Sequence, residues 1–384
     1  MTLAWRRARS AALLGGLALA LPLAAEVRVK RAVQPLTRRW QELPIQPRGA
    51  TLLGLSFRPP QVDALGLDLR ESLRRLLEYP FHLLRLGAYW RRMEPSPGEF
   101  VSDELDWQIQ AAEAAGKQVL LCVGALKCFG YPEFFVPPWR LPQPIREGIV
   151  VHANDHAWLL EPALEFVTRI VERYRDSSAI VGWQIEHESV DPLGLEHSWR
   201  LGTDFVRAEI DAVRQADPRR RPILLNGFLP MSNLVALQQW WRTRDQGDSL
   251  ACAMDQADIV GLDVYPRNGL VSFGPLSAYL DGGGGIGPRR LRAHLLERAR
   301  TAGRQIMVSE GQAEPWETVV KPPDPRDAAM FSCTPERVIE TYNTSMRWTD
   351  LYAYLFWGAE YWLQRAQSGD GSYAAAFARV LTES

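Results

Sequence analysis

The sequence predicts a (β/α)8 TIM barrel with long strand-to-helix loops, and two patterns support this fold. From residue 50 onward, eight short apolar runs alternate with segments of helical periodicity. The loops from helix to strand are short, whereas the strand-to-helix loops are long, at 126–155, 266–288 and 311–334. A barrel of this kind carries its active site on the strand-to-helix loops, so insertions should collect on that face.

The eight strand candidates succeed one another through residues 48–384. They are 51–57, 82–88, 118–125, 180–188, 222–227, 258–265, 305–310 and 351–357. Several are apolar throughout, as strands covered on both faces must be. An open doubly wound sheet is the alternative, but it requires a glycine fingerprint after the first strand, and Gly54-Leu55-Ser56-Phe57-Arg58 does not supply one.

Helical patterns lie between the strand candidates. The pattern over 105–115 ends at Gly116, and a later pattern that begins near Leu291 ends at Gly303, where glycine is the usual residue after a helix. Pro335 opens a further helix that runs to about Trp348. The segment 234–241 is the least clear, and its pattern leaves its structure open.

Composition narrows the function classes. The chain has 384 residues, with 44 Lys and Arg against 45 Asp and Glu, which gives a net charge of -1. Such a balance provides no overall field for nucleic acid, so we expect no nucleic-acid partner. Trp is unusually frequent, with 14 residues against 13 Phe and 11 Tyr. Because its ring is a flat platform for ligands, this excess points to a binding surface.

The N-terminus has the pattern of a signal peptide over residues 1–25. Clustered arginines precede an apolar run from Ala11 to Ala25, and small residues stand before Glu26. We therefore expect export to the periplasm or the extracellular space. The run is short of the ~20 residues that span a bilayer, and an uncleaved membrane anchor is the alternative. Residues 26–47 are basic and contain three prolines, which predicts a linker to the catalytic domain at 48–384.

Neither cysteines nor histidines form a strong metal-binding pattern. The four cysteines allow three full pairings, and none has CxxC spacing; they are Cys122, Cys128, Cys252 and Cys333. His152, Asp155 and His156 lie close together in the third loop, but their spacing matches no strong signature. We therefore predict no metal and no cofactor.

Two glutamates end strand candidates on opposite sides of the predicted barrel. Glu188 ends the fourth and Glu310 the seventh. Glycoside hydrolysis needs two carboxyls that face each other across a pocket. The alternative is that each glutamate pairs with a nearby arginine. Glu186 shares strand parity with Glu188 and is a rival for its role; we prefer Glu188 because it lies nearer the strand end, and interpret Glu186 as a buried, paired carboxylate. Asp263 is a further acidic candidate, for which we favour a structural role.

Segments at the strand ends also match family motifs. They are Arg85-Leu-Gly-Ala-Tyr-Trp90 with Glu94-Pro-Ser-Pro-Gly-Glu-Phe100, Gly182-Trp-Gln-Ile-Glu-His-Glu188, Ser309-Glu310-Gly-Gln-Ala-Glu-Pro-Trp316, and Phe356-Trp357-Gly358. Over residues 50–360 the chain thereby resembles the clan A glycoside hydrolases, and it is most similar to the family 5, 35 and 42 type of retaining β-glycosidases.

This resemblance implies roles for individual residues. Glu188 is expected to be the acid/base and Glu310 the nucleophile of a double displacement, with carboxyls about 5–5.5 Å apart. Burial or the charge of Glu310 should raise the pKa of Glu188. Arg85 should keep the nucleophile ionised, Tyr265 should bond to it, and Trp357 should form the floor of the sugar site. Among the other aromatic residues of the active face, we expect Trp90 and Trp316 to stack on sugar rings.

One position departs from the family pattern. His187 stands where the family usually has an asparagine that bonds the sugar 2-hydroxyl.

The paired glutamates, the N-terminal pattern and the resemblance together predict an exported retaining β-glycoside hydrolase that acts on an oligosaccharide or glycoside. A non-catalytic carbohydrate-binding barrel is the alternative. The sequence does not specify the sugar, the linkage or endo against exo cleavage.

Overall fold

Eight parallel strands close into a barrel in the computed structural model, which describes residues 26–191, 197–282, 286–317 and 327–384. The strands are β1 (Leu52–Ser56), β2 (Leu83–Gly87), β3 (Gln118–Cys122), β4 (Ile180–Gln184), β5 (Ile223–Phe228), β6 (Ile259–Val264), β7 (Gln305–Gln312) and β8 (Ala353–Trp357). They are ordered as in the sequence, and β8 pairs with β1 to close the sheet. The predicted (β/α)8 fold is confirmed.

Helices follow the strands around the outside of the barrel. They are Pro59–Ala64, Leu69–Leu77, Trp90–Met93, Asp103–Ala114, Ala157–Tyr174, Thr203–Ala216, Asn233–Thr243, Ser249–Gln256, Ile286–Thr301, Pro335–Met346, Ala359–Gln367 and Ser372–Glu383. The unclear segment 234–241 is thus helical. Ser232 caps this helix by accepting a hydrogen bond from the Val235 amide, and the exposed Trp240 and Trp241 obscure its apolar pattern.

Within the described residues, none of the helices combines the length and the apolar character that crossing a membrane requires. The predicted signal peptide, residues 1–25, lies outside the described residues.

The barrel interior changes from apolar to polar along the strands. Side chains of alternate strand residues point inward. At the amino ends of the strands they form an apolar layer of Leu83, Leu120, Leu224, Ile259, Met307, Ala353 and Leu355. Two residues further along the same strands come buried polar groups, including Arg85, Asn226 and Ser309. The apolar layer therefore closes one end of the barrel and leaves the functional groups at the other.

The segment 26–47 is packed against the barrel, which corrects its interpretation as a linker. Val27–Arg31 pairs with Leu276–Asp281, one strand of a hairpin in the loop after β6, and Val33–Pro35 pairs with Ala328–Met330. The Glu26 carboxylate accepts hydrogen bonds from the Asn233 amide and side chain. Val27, Val29 and Val33 alternate with other residues and favour a strand. The prediction of a linker rests on the basic residues and prolines and does not weigh these valines.

This packing predicts a stability cost at Trp40, which follows the paired strands and is only 8% exposed. A Trp40→Ala variant should lose about 3–5 kcal/mol of unfolding free energy because it leaves a cavity against the barrel. Urea unfolding followed by circular dichroism measures the loss. Trp241→Ala is the matched control, since that ring is 58% exposed and its removal should cost within about 0.5 kcal/mol. Equal effects at both positions would show that the segment is an unpacked linker.

Candidate active site

A cavity of about 180 Å³ opens at the carboxyl ends of the barrel strands. It is lined by Gly130, Tyr131, Glu133, His187, Glu188, Phe228, Tyr265, Glu310, Trp316 and Trp357. Both predicted catalytic glutamates therefore line one cavity. It is smaller than the ~300–1,000 Å³ of typical ligand pockets, and this size suits a small polar ligand on the scale of one sugar ring.

A β-bulge in β7 turns Glu310 into the barrel. Val308 is opposite Leu262 and Glu310 is opposite Asp263, so Ser309 is an extra residue. Regular alternation would point Glu310 outward if Ser309 points inward. With the bulge, Ser309 donates to Asp263 at 2.6 Å while Glu310 also reaches the interior. The bulge thus places two adjacent polar side chains on one side of the strand.

Glu310 is held by two buried donors. Arg85 Nη1 donates to its Oε1 at 2.7 Å, and the Tyr265 hydroxyl donates to its Oε2 at 2.6 Å. Burial raises the pKa of Glu310, while the Arg85 charge and both hydrogen bonds oppose that rise. The arrangement leaves a carboxylate whose charge is balanced on one side and which faces the cavity on the other. Arg85 and Tyr265 are thus where the resemblance places them.

Glu188 lies beyond β4, because the strand ends at Gln184 and the predicted strand 180–188 is too long. Glu188 has φ of 43°, in the left-handed region that non-glycine residues rarely adopt. Hydrogen bonds from its own amide to Asn226 Oδ1, at 3.3 Å, and from Lys127 Nζ to its carbonyl, at 2.8 Å, hold this turn. The turn brings the side chain to the cavity.

The surroundings of Glu188 favour its protonated form. Burial raises the pKa of Glu188 well above its usual range, and the nearby carboxyls of Asp263, Asp191, Glu133 and Glu310 add to the rise. Burial and the charge of Glu310 likewise raise the pKa of Asp263 well above its usual range, and its carboxyl is close enough to Glu188 for a side-chain hydrogen bond. Asp263 therefore favours the protonated form of Glu188, an effect beyond the structural role expected from the sequence.

The hydrogen bonds of Asn226 determine the state of His187. Asn226 Oδ1 accepts from Gln184 and from the Glu188 amide, so its Nδ2 is the donor to Asp263 and to His187 Nδ1, at 3.0 Å. His187 Nδ1 is thus an acceptor, and the ring proton is assigned to Nε2. Burial and the charges of Arg85 and Lys127 lower the pKa of His187 well below its usual range. The neutral ring can donate one hydrogen bond to a ligand.

Aromatic rings form the walls of the cavity. The Trp357 ring lies parallel to His187, with an interplanar angle of 8°, and the Arg58 guanidinium is 4.1 Å from its centroid. Trp316 is tilted against Tyr265 at a centroid distance of 4.9 Å. Arg58 is fixed from behind by ion pairs with Glu314 and Glu360. These contacts make the walls rigid surfaces on which a sugar ring can stack.

Trp90 is not part of the cavity, and the prediction that it binds substrate is wrong. It is fully buried in the helix after β2, where its Nε1 donates to Glu94 at 2.9 Å and its ring stacks on Phe166. Its neighbour Tyr89 packs instead with the aromatic groups next to the cavity. Proximity to a strand end does not settle which way a side chain in the following turn points.

Sequence reasoning also misses two groups, Glu133 and Asn226. Glu133 lies in a long loop without periodicity, and Asn226 is one polar residue in an apolar strand. The polar residue inside an apolar run was the available signal for Asn226. Glu186, by contrast, is a buried carboxylate as interpreted, with the amides of Leu126 and Lys127 as its donors.

Ligand atoms of His187, Asp263 and Glu310 lie within 4.8 Å of one another. Each of the three is already hydrogen bonded, and the Arg85 cation touches Glu310. The Arg85 charge and these hydrogen bonds therefore disfavour a metal ion in this group. In the third loop, His152 pairs with Asp204 at 3.0 Å and is exposed. All four cysteines are buried and free.

Comparisons with known proteins agree with this fold. A family model described as beta-galactosidase, Glyco_hydro_42, matches residues 57–198, which is less than half of the chain. No curated protein sequence matches the chain. Among solved structures, a GH5_18 protein from Streptomyces cattleya in complex with Manb1-4GlcNAc has a TM-score of 0.54 at 15% identity, covering 80% of this chain and 70% of that one. Xylanase 10B from Thermotoga maritima has a TM-score of 0.50 at 12% identity, covering 82% and 86%.

The solved structures share the barrel, and the family model covers the segment from the end of β1 past Glu188. The chain therefore has the (β/α)8 fold of these glycoside hydrolase structures, and over residues 57–198 it is similar to the Glyco_hydro_42 family, as the strand-end motifs predict.

Proposed function

We propose that the protein is a retaining β-glycoside hydrolase, with Glu310 as nucleophile and Glu188 as general acid/base. The observation that carries this proposal is the contrast between two carboxyls in one cavity. Glu310 receives two hydrogen bonds and a cationic partner, whereas Glu188 is surrounded by other carboxyls. Such opposite environments separate the pKa values of a catalytic pair.

The proposed reaction is a double displacement. Glu310 attacks the anomeric carbon while Glu188 gives its proton to the departing glycosidic oxygen, which forms a glycosyl ester. Water then attacks the same carbon, gives a proton to Glu188 and releases Glu310. Tyr265 and Arg85 hold the Glu310 oxygens during attack and take up its charge when it departs.

His187 supports catalysis in place of the expected asparagine. Its Nε2 proton can donate to the sugar 2-hydroxyl, as an asparagine amide does. Trp316 and Trp357 offer faces for stacking. The alternative of a non-catalytic sugar-binding barrel depends on His187 being unsuitable for catalysis, and the assigned tautomer removes that reason. The substrate class we propose is a β-linked oligosaccharide or glycoside.

Export is a further part of the proposal, and it rests on the sequence of residues 1–25. Glu26 is hydrogen bonded to Asn233, so cleavage before Glu26 leaves the packed segment intact. Mass spectrometry of the protein from periplasm or medium should give a chain that begins at Glu26. A mature chain that keeps residues 1–25 and stays in the membrane fraction would indicate an anchor instead.

Removing either carboxyl should abolish turnover for different reasons. Glu310→Ala and Glu188→Ala should each lower kcat for a phenyl β-glycoside by about 10²–10⁴-fold or more. With a 2,4-dinitrophenyl leaving group, which departs without a proton, Glu188→Ala should still release a stoichiometric burst, and Glu310→Ala should release none.

Glu165→Ala, at an exposed position on the helix Ala157–Tyr174, is the control and should keep wild-type rates. Proton NMR of the first product should show retention of the β configuration. Inversion of configuration, or full activity in either active-site variant, would refute the assignment.

The pH dependence of kcat/KM should have an acid limb governed by Glu310 and a basic limb governed by Glu188. Activity requires Glu310 ionised and Glu188 protonated, so kcat/KM rises through the pKa of Glu310 and falls through that of Glu188. Tyr265→Phe removes a donor from the Glu310 carboxylate, a hydrogen bond of ~1.5–3 kcal/mol. The acid limb should therefore move to higher pH by about one to two units.

Tyr354→Phe is the matched control for this shift. Its hydroxyl is buried and has no hydrogen-bond partner among the described residues, so the same chemical change should leave the profile unchanged. An acid limb that stays in place in Tyr265→Phe would mean that Glu310 is not the group that must be ionised.

A further inference from the structure

Three buried polar atoms of the cavity walls have no hydrogen-bond partner in the described part of the chain. They are Glu133 Oε2, Trp316 Nε1 and Trp357 Nε1. Leaving such a group unpaired costs about 1–3 kcal/mol, so each one calls for a partner. One acceptor and two donors around one small cavity are complementary to a ligand that offers both, as a ring with several hydroxyls does.

The backbone holds Glu133 in place from behind. Its φ of 79° lies in the left-handed region, which costs about 1–3 kcal/mol for a residue other than glycine. The Cys128 amide donates to the Glu133 carbonyl at 3.0 Å, and Lys127 and Phe134 form a bridge across the same turn. The turn leaves the carboxyl at the cavity, where burial raises the pKa of Glu133, the nearby Lys127 charge opposes that rise and the charge of Glu310 adds to it.

The charges around the cavity disfavour an anionic ligand. The carboxyls that line it are those of Glu133, Glu188 and Glu310, with no cation among the described lining residues, and His187 is neutral. Arg85 lies beneath, in its ion pair with Glu310. Lys127 is near Glu133, but its ammonium donates to the Glu188 and Asp191 carbonyls. A carboxylated sugar would therefore bring a further negative charge against Glu133.

We propose that Glu133 is a substrate-binding residue that accepts hydrogen bonds from sugar hydroxyls and makes the enzyme selective for uncharged sugars over uronic acids. The indole N–H groups of Trp316 and Trp357 lie in the planes of their rings, so they donate to ligand hydroxyls that lie beside a ring stacked on their faces. This inference rests on the proposed glycosidase function and adds the substrate class to it.

The test compares wild type, Glu133→Gln and Glu133→Ala on aryl β-glycosides of neutral sugars and on the matching aryl β-glucuronide and β-galacturonide. Glu133→Ala should lower kcat/KM for the best neutral substrate by about 10–100-fold, because a hydrogen bond with a charged partner is worth about 1.5–3 kcal/mol. Glu133→Gln keeps an acceptor and should lose less. In Glu133→Gln the ratio of kcat/KM for uronide to neutral substrate should rise at least about 10-fold.

The pH profile gives a second readout that packing alone would not change. The Glu133 charge helps to raise the pKa of Glu188, so in Glu133→Gln the basic limb should move to lower pH. Glu165→Gln, at the exposed helix position, is the control for both measurements. Thermal unfolding verifies that each variant is folded.

The outcomes separate this inference from the proposed function. If wild type hydrolyses neutral glycosides and both Glu133 variants match it in rate and selectivity, the role of Glu133 is overturned while the glycosidase stands. If wild type hydrolyses none, saturation-transfer NMR with methyl β-glycosides decides. Binding that is lost in Glu133→Ala then supports the role of Glu133 without catalysis, and binding that is unchanged or absent overturns both.

Discussion

The ion pair between Arg85 and Glu310 is the interaction on which the rest of the site depends. Both side chains are removed from water, and an unpaired charge there costs several kcal/mol. The pair is tolerable because its remaining atoms are also bonded: Arg85 Nε donates to Gln184 at 2.7 Å, and Tyr265 donates to Glu310. Four strands, β2, β4, β6 and β7, thereby converge on one charge pair. The apolar layer beneath it excludes water and strengthens each of these contacts.

The same hydrogen-bond network gives Glu188 and Glu310, which are similarly buried, different surroundings and different proposed roles. Asn226 connects them: it contacts the Glu188 amide, the Asp263 carboxyl that touches Glu188, and His187 beside Arg85. One amide has a fixed order of acceptor and donor, so it also fixes the tautomer of His187. His187, which stands where asparagine usually precedes the acid/base, is therefore held in one tautomer by Asn226 of β5, a residue far from it in sequence.

The regular part of this structure could be predicted from the sequence, and the irregular part could not. Short apolar runs between segments of helical periodicity locate all eight strands, strand ends then identify Glu188 and Glu310, and the family resemblance adds Arg85 and Tyr265. Parity counting assumes an unbroken strand, however, and the bulge at Ser309 breaks it. The positive φ at Glu188 is held by hydrogen bonds with Lys127 and Asn226, which lie far from it in sequence, and the positive φ at Glu133 by a turn closed within its own loop. Apolar periodicity encodes neither. The prediction for Trp90 is wrong for a related reason: Trp90 begins the short helix after β2, and strand parity does not extend into that helix.

The cavity holds more carboxyls than its cations can balance, and this excess favours the protonated form of Glu188, the proposed acid/base. Glu133, Glu188, Asp263 and Glu310 act on one another, while Arg85 is the cation in direct contact with this group. Because Arg85 and Tyr265 donate hydrogen bonds to Glu310, ionisation has the lowest free-energy cost at Glu310. The remaining repulsion falls on Glu188 and Asp263, where a shared proton relieves it. In the proposed mechanism, Glu188 and Glu310 require this surplus of negative charge, and the proposed neutral sugar leaves the balance undisturbed.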